Sequence, residues 1–187
     1  PFPMEWVKYY DSKGVVVQVA FEPNGGLHEV VDGPYIREWA RQANKSGAMI
    51  LLRWASEMNG SWVAWYGNPP LYIQKWRLIY NIMKEEAPNV AMVWAPNDIP
   101  NNPQSPANYI HSYYPGDEYV DWVGIDFYAV YYYENGTPER TDHREKLRVV
   151  YDTYASRKPI IICEWAATHY TTRVNPPEWT IDYAIAQ

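Results

Sequence analysis

Two glutamates, Glu57 and Glu164, are the residues of this sequence whose type and position most suggest chemistry. Each follows an apolar run of strand length, and neither has a helix-surface neighbour that would explain it as a solvated charge. Glycoside hydrolysis needs two carboxyl groups, one that protonates the leaving oxygen and one that attacks the anomeric carbon or activates water. The same residues could instead be buried structural acids paired with Arg53, Arg77 or another cation, because a strand-end acid is only a candidate for a functional site.

Aromatic side chains make up 17% of the sequence, with 10 Trp and 18 Tyr but only 3 Phe. Trp and Tyr combine a flat apolar face with a polar edge. Sugars require that combination, because their C–H faces stack on rings while their hydroxyl groups form hydrogen bonds. The composition therefore favours carbohydrate binding. A Trp-rich core with aromatic surface loops is the alternative.

Short apolar runs alternate with amphipathic stretches along the chain. The apolar runs predict strands near residues 15–21, 48–54, 90–95, 120–127 and 159–163. Apolar residues at helical spacing predict helices near residues 4–10, 35–46, 71–86 and 144–154, and the start of another at 176–187. Gly47 is expected to end the second of these helices.

The polar residues at the strand ends favour a closed barrel over a doubly wound sheet. Regular alternation of strands and helices implies a parallel sheet, and continuously apolar strands imply that both faces are covered. Just past the predicted strands lie Glu22, Glu57, Asn97, Tyr128 and Glu164. Barrel enzymes place their chemistry at these ends, and no glycine-rich phosphate loop follows any strand. The predicted fold is therefore an α/β protein of the (β/α)8 TIM-barrel type.

Charge and residue content exclude several classes of function. The net charge is −6 and Lys and Arg are scattered, which argues against nucleic acid as a partner. No run of about 18 apolar residues occurs, so no membrane partner is expected. The single cysteine, Cys163, excludes an internal disulfide.

The titratable residues do not show the spacing of a metal site. The four histidines are dispersed along the chain, at His28, His111, His143 and His169. Three aspartates, Asp117, Asp121 and Asp126, lack the spacing of a calcium loop. We therefore expect chemistry without a metal or another cofactor. His169 follows Glu164 by five residues and could contact substrate, with a loop histidine of no such role as the alternative.

Four segments have a distinctive pattern, namely residues 53–62, 89–97, 113–126 and 158–164. The first reads RWASEMNGSW and is followed by Trp65, the second reads NVAMVWAPN, and the last reads KPIIICE. In order, they resemble the acid/base segment, the fifth strand, the sixth strand with its approach, and the nucleophile strand of glycoside hydrolase family 26. That family belongs to the clan of retaining (β/α)8 glycosidases, and the resemblance covers most of the chain.

The resemblance implies a role for each matching residue. Glu57 corresponds to the general acid/base at the end of strand four, and Glu164 corresponds to the nucleophile at the end of strand seven. Arg53 resembles the arginine beneath the site that keeps the nucleophile ionised. Tyr128 resembles the tyrosine that hydrogen-bonds the nucleophile, with an exposed loop tyrosine as the alternative.

Five residues near the two glutamates are expected to contact substrate. Trp62 and Trp65 resemble the family's sugar-stacking loop, with packing against the next helix as the alternative. Ser56 stands where mannan-cleaving members usually have His, which weakens the case for mannan and favours mixed-linkage β-glucan or xylan. Asn59 and Trp165, the latter in place of a smaller residue, complete the set.

The sequence contains only part of such a barrel. A complete one takes about 250 residues, and 187 residues with five strands cannot close it. By resemblance, residues 1–187 form a single partial catalytic domain with about strands three to seven, lacking strands one, two and eight. The remainder of the barrel is therefore an expected partner. The chain begins at Pro1 without Met or a signal sequence, so its native start is expected to lie elsewhere.

The combined expectation is a retaining endo-glycoside hydrolase that cuts a β-linked polysaccharide by a two-glutamate double displacement. β-Mannan is the first choice of substrate, and mixed-linkage β-glucan or xylan is next. A secreted or extracellular location follows from the polymeric substrate. The alternatives are a catalytically silent glycan-binding barrel and a transglycosylase that shares the covalent intermediate.

Overall fold

The computed structural model describes residues 1–129 and 143–167, in which helices and strands alternate. The strands are β1 (Val17–Phe21), β2 (Ile50–Trp54), β3 (Val90–Trp94), β4 (Trp122–Ala129) and β5 (Ile160–Ala167). The α-helices are α1 (Met4–Asp11), α2 (Pro34–Ser46), α3 (Pro69–Glu86) and α4 (His143–Tyr154). Short 3-10 helices occur at Leu27–Glu29, Ile110–Tyr113 and Asp117–Tyr119.

The five described strands pair in sequence order, and every pair is parallel. Val17 of β1, for example, lies opposite Ile50 of β2, and Ile50 lies opposite Val90 of β3. A doubly wound sheet reverses its strand order near the centre, and these strands do not. They form half of a (β/α)8 barrel, which confirms the fold predicted from the sequence.

Local signals in the sequence fix the ends of α2 and α3. Pro34 begins α2, where its missing N–H removes no helical hydrogen bond, and Gly47 ends it with a left-handed φ of 75°. Asn68 caps α3 by accepting a hydrogen bond from Leu71 N at 3.2 Å. The helices are thereby positioned to cover the outer face of the strands.

Much of the aromatic content lies in the core between the strands and the helices. Trp54 of β2 and Trp76 of α3 are both buried, with ring centroids 6.0 Å apart, and Tyr72 packs against each of them. Trp94 of β3 packs edge-on against Tyr154 of α4 at 5.5 Å. A Trp-rich core therefore accounts for part of the unusual composition, as the alternative interpretation proposed.

The last two described strands extend further than the sequence predicted. Expected to end near residues 127 and 163, they run to residues 129 and 167 and continue to pair with each other. Asp126 lies opposite Glu164, and Tyr128 lies opposite Ala166. Because ladder pairing continues here, Tyr128 and Glu164 lie within strands rather than in the loops that follow them.

The described helices are amphipathic and none could cross a membrane. α2, for example, buries one face through Ile36, Trp39 and Ala43. None of the helices in the described ranges combines the length and the apolar character that a membrane span requires. The helix predicted at 176–187 lies outside the described residues.

Candidate active site

Three carboxyl groups converge at the carboxyl-terminal edge of the sheet. Glu57 lies in the turn after β2, Asp126 lies in β4, and Glu164 lies in β5. One carboxylate oxygen of each residue lies within 4.8 Å of the others. They meet because parallel strands present their carboxyl ends at the same edge. The two glutamates singled out in the sequence are therefore neighbours, with a third acid beside them.

The turn that carries Glu57 has an unusual backbone. Ala55 and Glu57 both adopt the left-handed conformation, with φ angles of 48° and 56°, which is costly for residues other than Gly. Ala55 N donates to Phe21 O at 3.2 Å, and Glu57 N donates to Ala95 O at 2.8 Å. These bonds to the neighbouring strands hold the acid in a conformation that the isolated segment would disfavour.

Both carboxylate oxygens of Glu57 accept a hydrogen bond. Asn97 Nδ2 donates to Oε1 at 2.5 Å, and Trp62 Nε1 donates to Oε2 at 2.7 Å. The Trp62 ring lies against Gly60, where a Cβ atom would come within 2.2 Å of the ring carbon Cζ2. Trp62 remains 56% exposed, so its ring is open to a ligand beside the carboxylate.

Glu164 has a cation and a phenol as its partners. Arg53 Nη2 donates to Oε1 at 2.5 Å, and the Tyr128 hydroxyl donates to Oε2. Burial opposes ionisation of Glu164, but the hydrogen bond from Tyr128 and the hydrogen bond and charge of Arg53 outweigh it and lower the pKa of the carboxyl group. Burial and the nearby Glu164 carboxylate raise the pKa of Tyr128, so the phenol remains a donor.

Asp126 is fully buried beside Arg53, with Nη1 3.3 Å from Oδ1. Burial raises the pKa of Asp126 to about 8, and the charge of Arg53 acts in the opposite direction. The charges of Glu164, Glu57 and Asp98 add to the rise. Arg53 therefore lies between a carboxyl group whose ionisation is opposed by burial and the Glu164 carboxylate, whose ionisation it supports.

Three of the expected substrate-binding residues are buried among protein atoms. Ser56 Oγ accepts from Arg53 Nη2 at 3.1 Å, and Ser56 O accepts from Trp65 Nε1 at 2.7 Å. The Asn59 amide both donates to Asn97 O and accepts from Asn97 N, at 3.0 Å each. Their polar groups are used inside the protein, so these residues shape the loops rather than line an open surface. This differs from the substrate contacts that the sequence predicted.

Trp165 and His169 were also expected to contact substrate. Trp165 is 46% exposed, but it lies in register with Phe127, whereas Glu164 lies in register with Asp126. Because successive side chains of a strand point to opposite faces, Trp165 and Glu164 lie on opposite faces of β5. This placement differs from the expected contact, and His169 lies outside the described residues.

Two residues of the site, Asn97 and Asp126, are not among the contacts predicted from the sequence. Asn97 lies three residues after the end of β3, so its position near a strand end was a signal. Its hydrogen bond to Glu57, however, depends on the path of a different turn. Asp126 precedes Tyr128 by two residues, a spacing that places both on one face of the strand. A carboxylate inside an apolar strand is the signal that could have identified it.

The three clustered carboxyl groups are near enough to share a metal ion. Glu57 is hydrogen-bonded by Asn97 and Trp62, and Arg53 contacts both Asp126 and Glu164. A metal ion would therefore have to compete with a guanidinium group already present. The site offers two glutamates in unlike surroundings, one held by neutral donors and the other by a cation and a phenol. Such differences assign different roles to paired carboxyl groups.

Paired carboxyl groups of unlike surroundings at this edge of a parallel β/α segment are the arrangement of glycoside-hydrolysing barrels. The sequence model of Glycosyl hydrolase family 26 matches residues 12–143. The chain belongs to this family, which confirms the resemblance found in the sequence. The matched residues include Arg53, Glu57 and Tyr128 and end before Glu164.

Curated relatives of the chain act on different polysaccharides. A β-1,3-xylanase, TXYA, from Vibrio sp is 28% identical over an alignment of 131 residues, and the match covers 67% of this chain and 27% of the relative. A mannan endo-1,4-β-mannosidase, A and B, from Caldalkalibacillus mannanilyticus is 25% identical over an alignment of 161 residues, and the match covers 66% of this chain and 30% of the relative. The chain thus spans less than a third of the length of either protein.

A solved structure supports the fold. The catalytic domain of a family 26 endo-β-1,4-mannanase from Bacillus sp. JAMB-750 superposes with a TM-score of 0.68 at 14% identity. The superposition covers 98% of this chain and 55% of that domain. At this identity the likeness concerns the fold alone, and it agrees with the half-barrel of five parallel strands.

Proposed function

We propose that the protein containing this chain is a retaining endo-glycoside hydrolase, with Glu57 as general acid/base and Glu164 as nucleophile. The distance between the two glutamates carries the proposal, since one oxygen of each lies within 4.8 Å of the other. Retaining glycosidases hold these carboxyl groups about 5–5.5 Å apart, whereas inverting enzymes leave about 6.5–9.5 Å for a water molecule.

The first step forms a glycosyl-enzyme. The Glu164 carboxylate attacks the anomeric carbon, and the bond from that carbon to the leaving oxygen breaks. Glu57 donates its proton to the leaving oxygen, so the departing sugar carries a hydroxyl group. Arg53 and Tyr128 support this step because both stabilise Glu164 in its ionised, nucleophilic form.

The second step hydrolyses that ester. Glu57, now a carboxylate, accepts a proton from water while the water oxygen attacks the anomeric carbon. Glu164 leaves as a carboxylate, and the two displacements together retain the anomeric configuration. Both steps require Glu57 to reach a ligand oxygen, so one of its hydrogen bonds must open. Trp62 is the partner able to yield, because it is exposed whereas Asn97 is buried.

The substrate we propose is a β-linked polysaccharide cut internally, with β-mannan first and mixed-linkage β-glucan or xylan next. The relatives named for 1,4-β-mannan and for β-1,3-xylan support this range. Ser56, at the position where mannan-cleaving members usually have His, is buried and bonded to Arg53, and it keeps mixed-linkage β-glucan and xylan in the range. A polymer of this kind also implies an enzyme that acts outside the cell, which is part of the same proposal.

A screen of the full-length protein against β-mannan, lichenan, β-1,4-xylan and β-1,3-xylan tests the proposal. Release of reducing ends, with a rapid fall in polymer length, is the expected result for an endo-acting hydrolase. Binding of one polymer by calorimetry without release of sugar would favour the catalytically silent barrel instead. Products longer than the starting oligosaccharide at high concentration would identify a transglycosylase.

A further inference from the structure

A second buried ion pair joins α4 to the segment that follows β3. Lys146 of α4 extends inward, and its Nζ lies 3.4 Å from Asp98 Oδ2. The two side chains are only 5% and 1% exposed. Charged residues are almost never buried to this degree unless they are paired.

The pair is joined to the site through the segment that follows β3. Asp98 is the neighbour of Asn97, whose Nδ2 donates to Glu57 Oε1 at 2.5 Å. Asp98 N donates to Asp126 O at 2.9 Å, so the same segment is tied to β4. Lys146 therefore connects α4 to the peptide that holds the amide partner of Glu57.

A contribution to stability does not by itself explain why Lys146 and Asp98 form a buried ion pair. Removing two charges from water is costly, and well-packed apolar residues of similar size are often as stable as a buried ion pair. Fixing one conformation is the better-supported use of such pairs. Here the fixed conformation is that of Asn97, because the charge of Asp98 can meet Lys146 only while the segment keeps its present path.

We propose that Lys146 and Asp98 are positioning residues for the acid/base chemistry, acting through Asn97 on Glu57. The inference rests on the proposed function, since it assigns the pair to the proton-transfer half of that mechanism. This role of the pair gives a specific prediction. Loss of the pair must affect reactions that need a proton donor more than reactions that do not.

The test compares two substrates of the sugar identified by the polysaccharide screen. One is an oligosaccharide, whose leaving group requires protonation, and the other is its 2,4-dinitrophenyl glycoside, whose leaving group does not. For Lys146→Met and Asp98→Asn we expect kcat/KM to fall about tenfold on the oligosaccharide, a part of the about 10²–10⁴-fold effect of general acid catalysis. The value for the dinitrophenyl glycoside should stay within about twofold of the wild type.

Matched variants separate positioning from general destabilisation. Lys84 of α3 and Asp121, the residue before β4, form another Lys–Asp pair at 2.7 Å, at the end of the strand opposite the carboxyl edge. Lys84→Met should therefore change kcat/KM by the same factor on both substrates. The double variant Lys146→Met/Asn97→Ala should have nearly the same kcat/KM on the oligosaccharide as Asn97→Ala alone, because both substitutions act on one contact.

If a single variant fails to fold by circular dichroism, the double variant Asp98→Asn/Lys146→Met replaces it, since it removes both charges of the pair together. For the double variant we expect the same selective loss of kcat/KM on the oligosaccharide. Equal loss on both substrates, or none, in an otherwise active protein overturns the inference and leaves the proposed function standing. A wild type inactive on both substrates overturns the proposed function, and the inference with it.

Discussion

Arg53 and Glu164 are 111 residues apart in the sequence, and their side chains meet with Nη2 2.5 Å from Oε1. The contact crosses from β2 to β5, over two intervening strands. Arg53 lies near the end of β2, and its Nη2 also donates to Ser56 Oγ in the turn that carries Glu57, so one strand end supports both glutamates. The ionisation of Glu164 therefore depends on the conformation of the segment that positions its proposed partner.

Tyr128→Phe is predicted to move the acid limb of the pH–rate profile to higher pH. The Tyr128 hydrogen bond helps to lower the pKa of Glu164 against the effect of burial, and the nucleophile must be ionised. Without the hydroxyl group, Glu164 becomes protonated at a higher pH, so activity is lost earlier as the pH falls. We expect kcat/KM at neutral pH to fall about tenfold. Tyr151→Phe, at an exposed tyrosine of α4, is the control and should leave the profile unchanged.

Asp126→Asn is predicted to change how stability depends on pH. The pKa of Asp126 is about 8 in the folded protein, against about 3.9 in an unfolded chain. Between these values the folded state binds a proton that the unfolded state does not, so this contribution to stability is lost as the pH rises through about 8. Asn does not titrate. The melting temperature of the variant minus that of the wild type should therefore increase from pH 5 to pH 8, and a constant difference would contradict this account.

Gly60→Ala is predicted to weaken substrate binding without unfolding the protein. The added Cβ would lie 2.2 Å from Trp62 Cζ2, so the exposed ring must move and lose its hydrogen bond to Glu57. We expect KM to rise several-fold, roughly as for Trp62→Ala, because about 1 kcal/mol of contact is lost. Trp62→Phe keeps an aromatic ring but removes the indole N–H donor. Comparing it with Trp62→Ala therefore separates the effect of stacking on KM from the effect of the hydrogen bond. A KM for Gly60→Ala equal to that of the wild type would exclude this role for the contact.

Replacing each glutamate by Ala is predicted to give opposite responses to azide. Glu164→Ala should lose activity on every substrate, and azide should restore turnover to a glycosyl azide of inverted configuration. Glu57→Ala should still form the glycosyl-enzyme from a dinitrophenyl glycoside, and azide should then give a product of retained configuration. A retained product from Glu164→Ala and an inverted product from Glu57→Ala would show that the two roles are exchanged, and products of the same configuration would contradict the two-step mechanism.

The parallel half-barrel could be predicted because its signals are local. Apolar runs alternate with helical periodicity, and Gly47 marks a helix end that the structure confirms by its positive φ. The lengths of β4 and β5 could not be predicted in this way, because pairing between them continues through Tyr128 and Glu164. That continuation depends on long-range register, which a single strand does not encode.

The residues around the two glutamates were harder to predict than the glutamates themselves. Trp65 and Asn59 have the types expected of sugar contacts, but their polar groups bond to backbone atoms of other turns. Asn97 and Asp126 reach the site through contacts between segments far apart in the sequence. Residue type indicates which atoms can bind a sugar, whereas burial decides which of them are available to it.

Trapping the covalent intermediate tests the assignment of Glu164 most directly. The full-length protein is incubated with a 2-deoxy-2-fluoro glycoside that carries a dinitrophenyl leaving group, and the labelled peptide is sequenced by mass spectrometry. The account predicts one equivalent of label, attached to Glu164 and absent in Glu164→Gln. Label on Glu57 or Asp126, or first-formed product of inverted configuration in the unlabelled reaction, would contradict it.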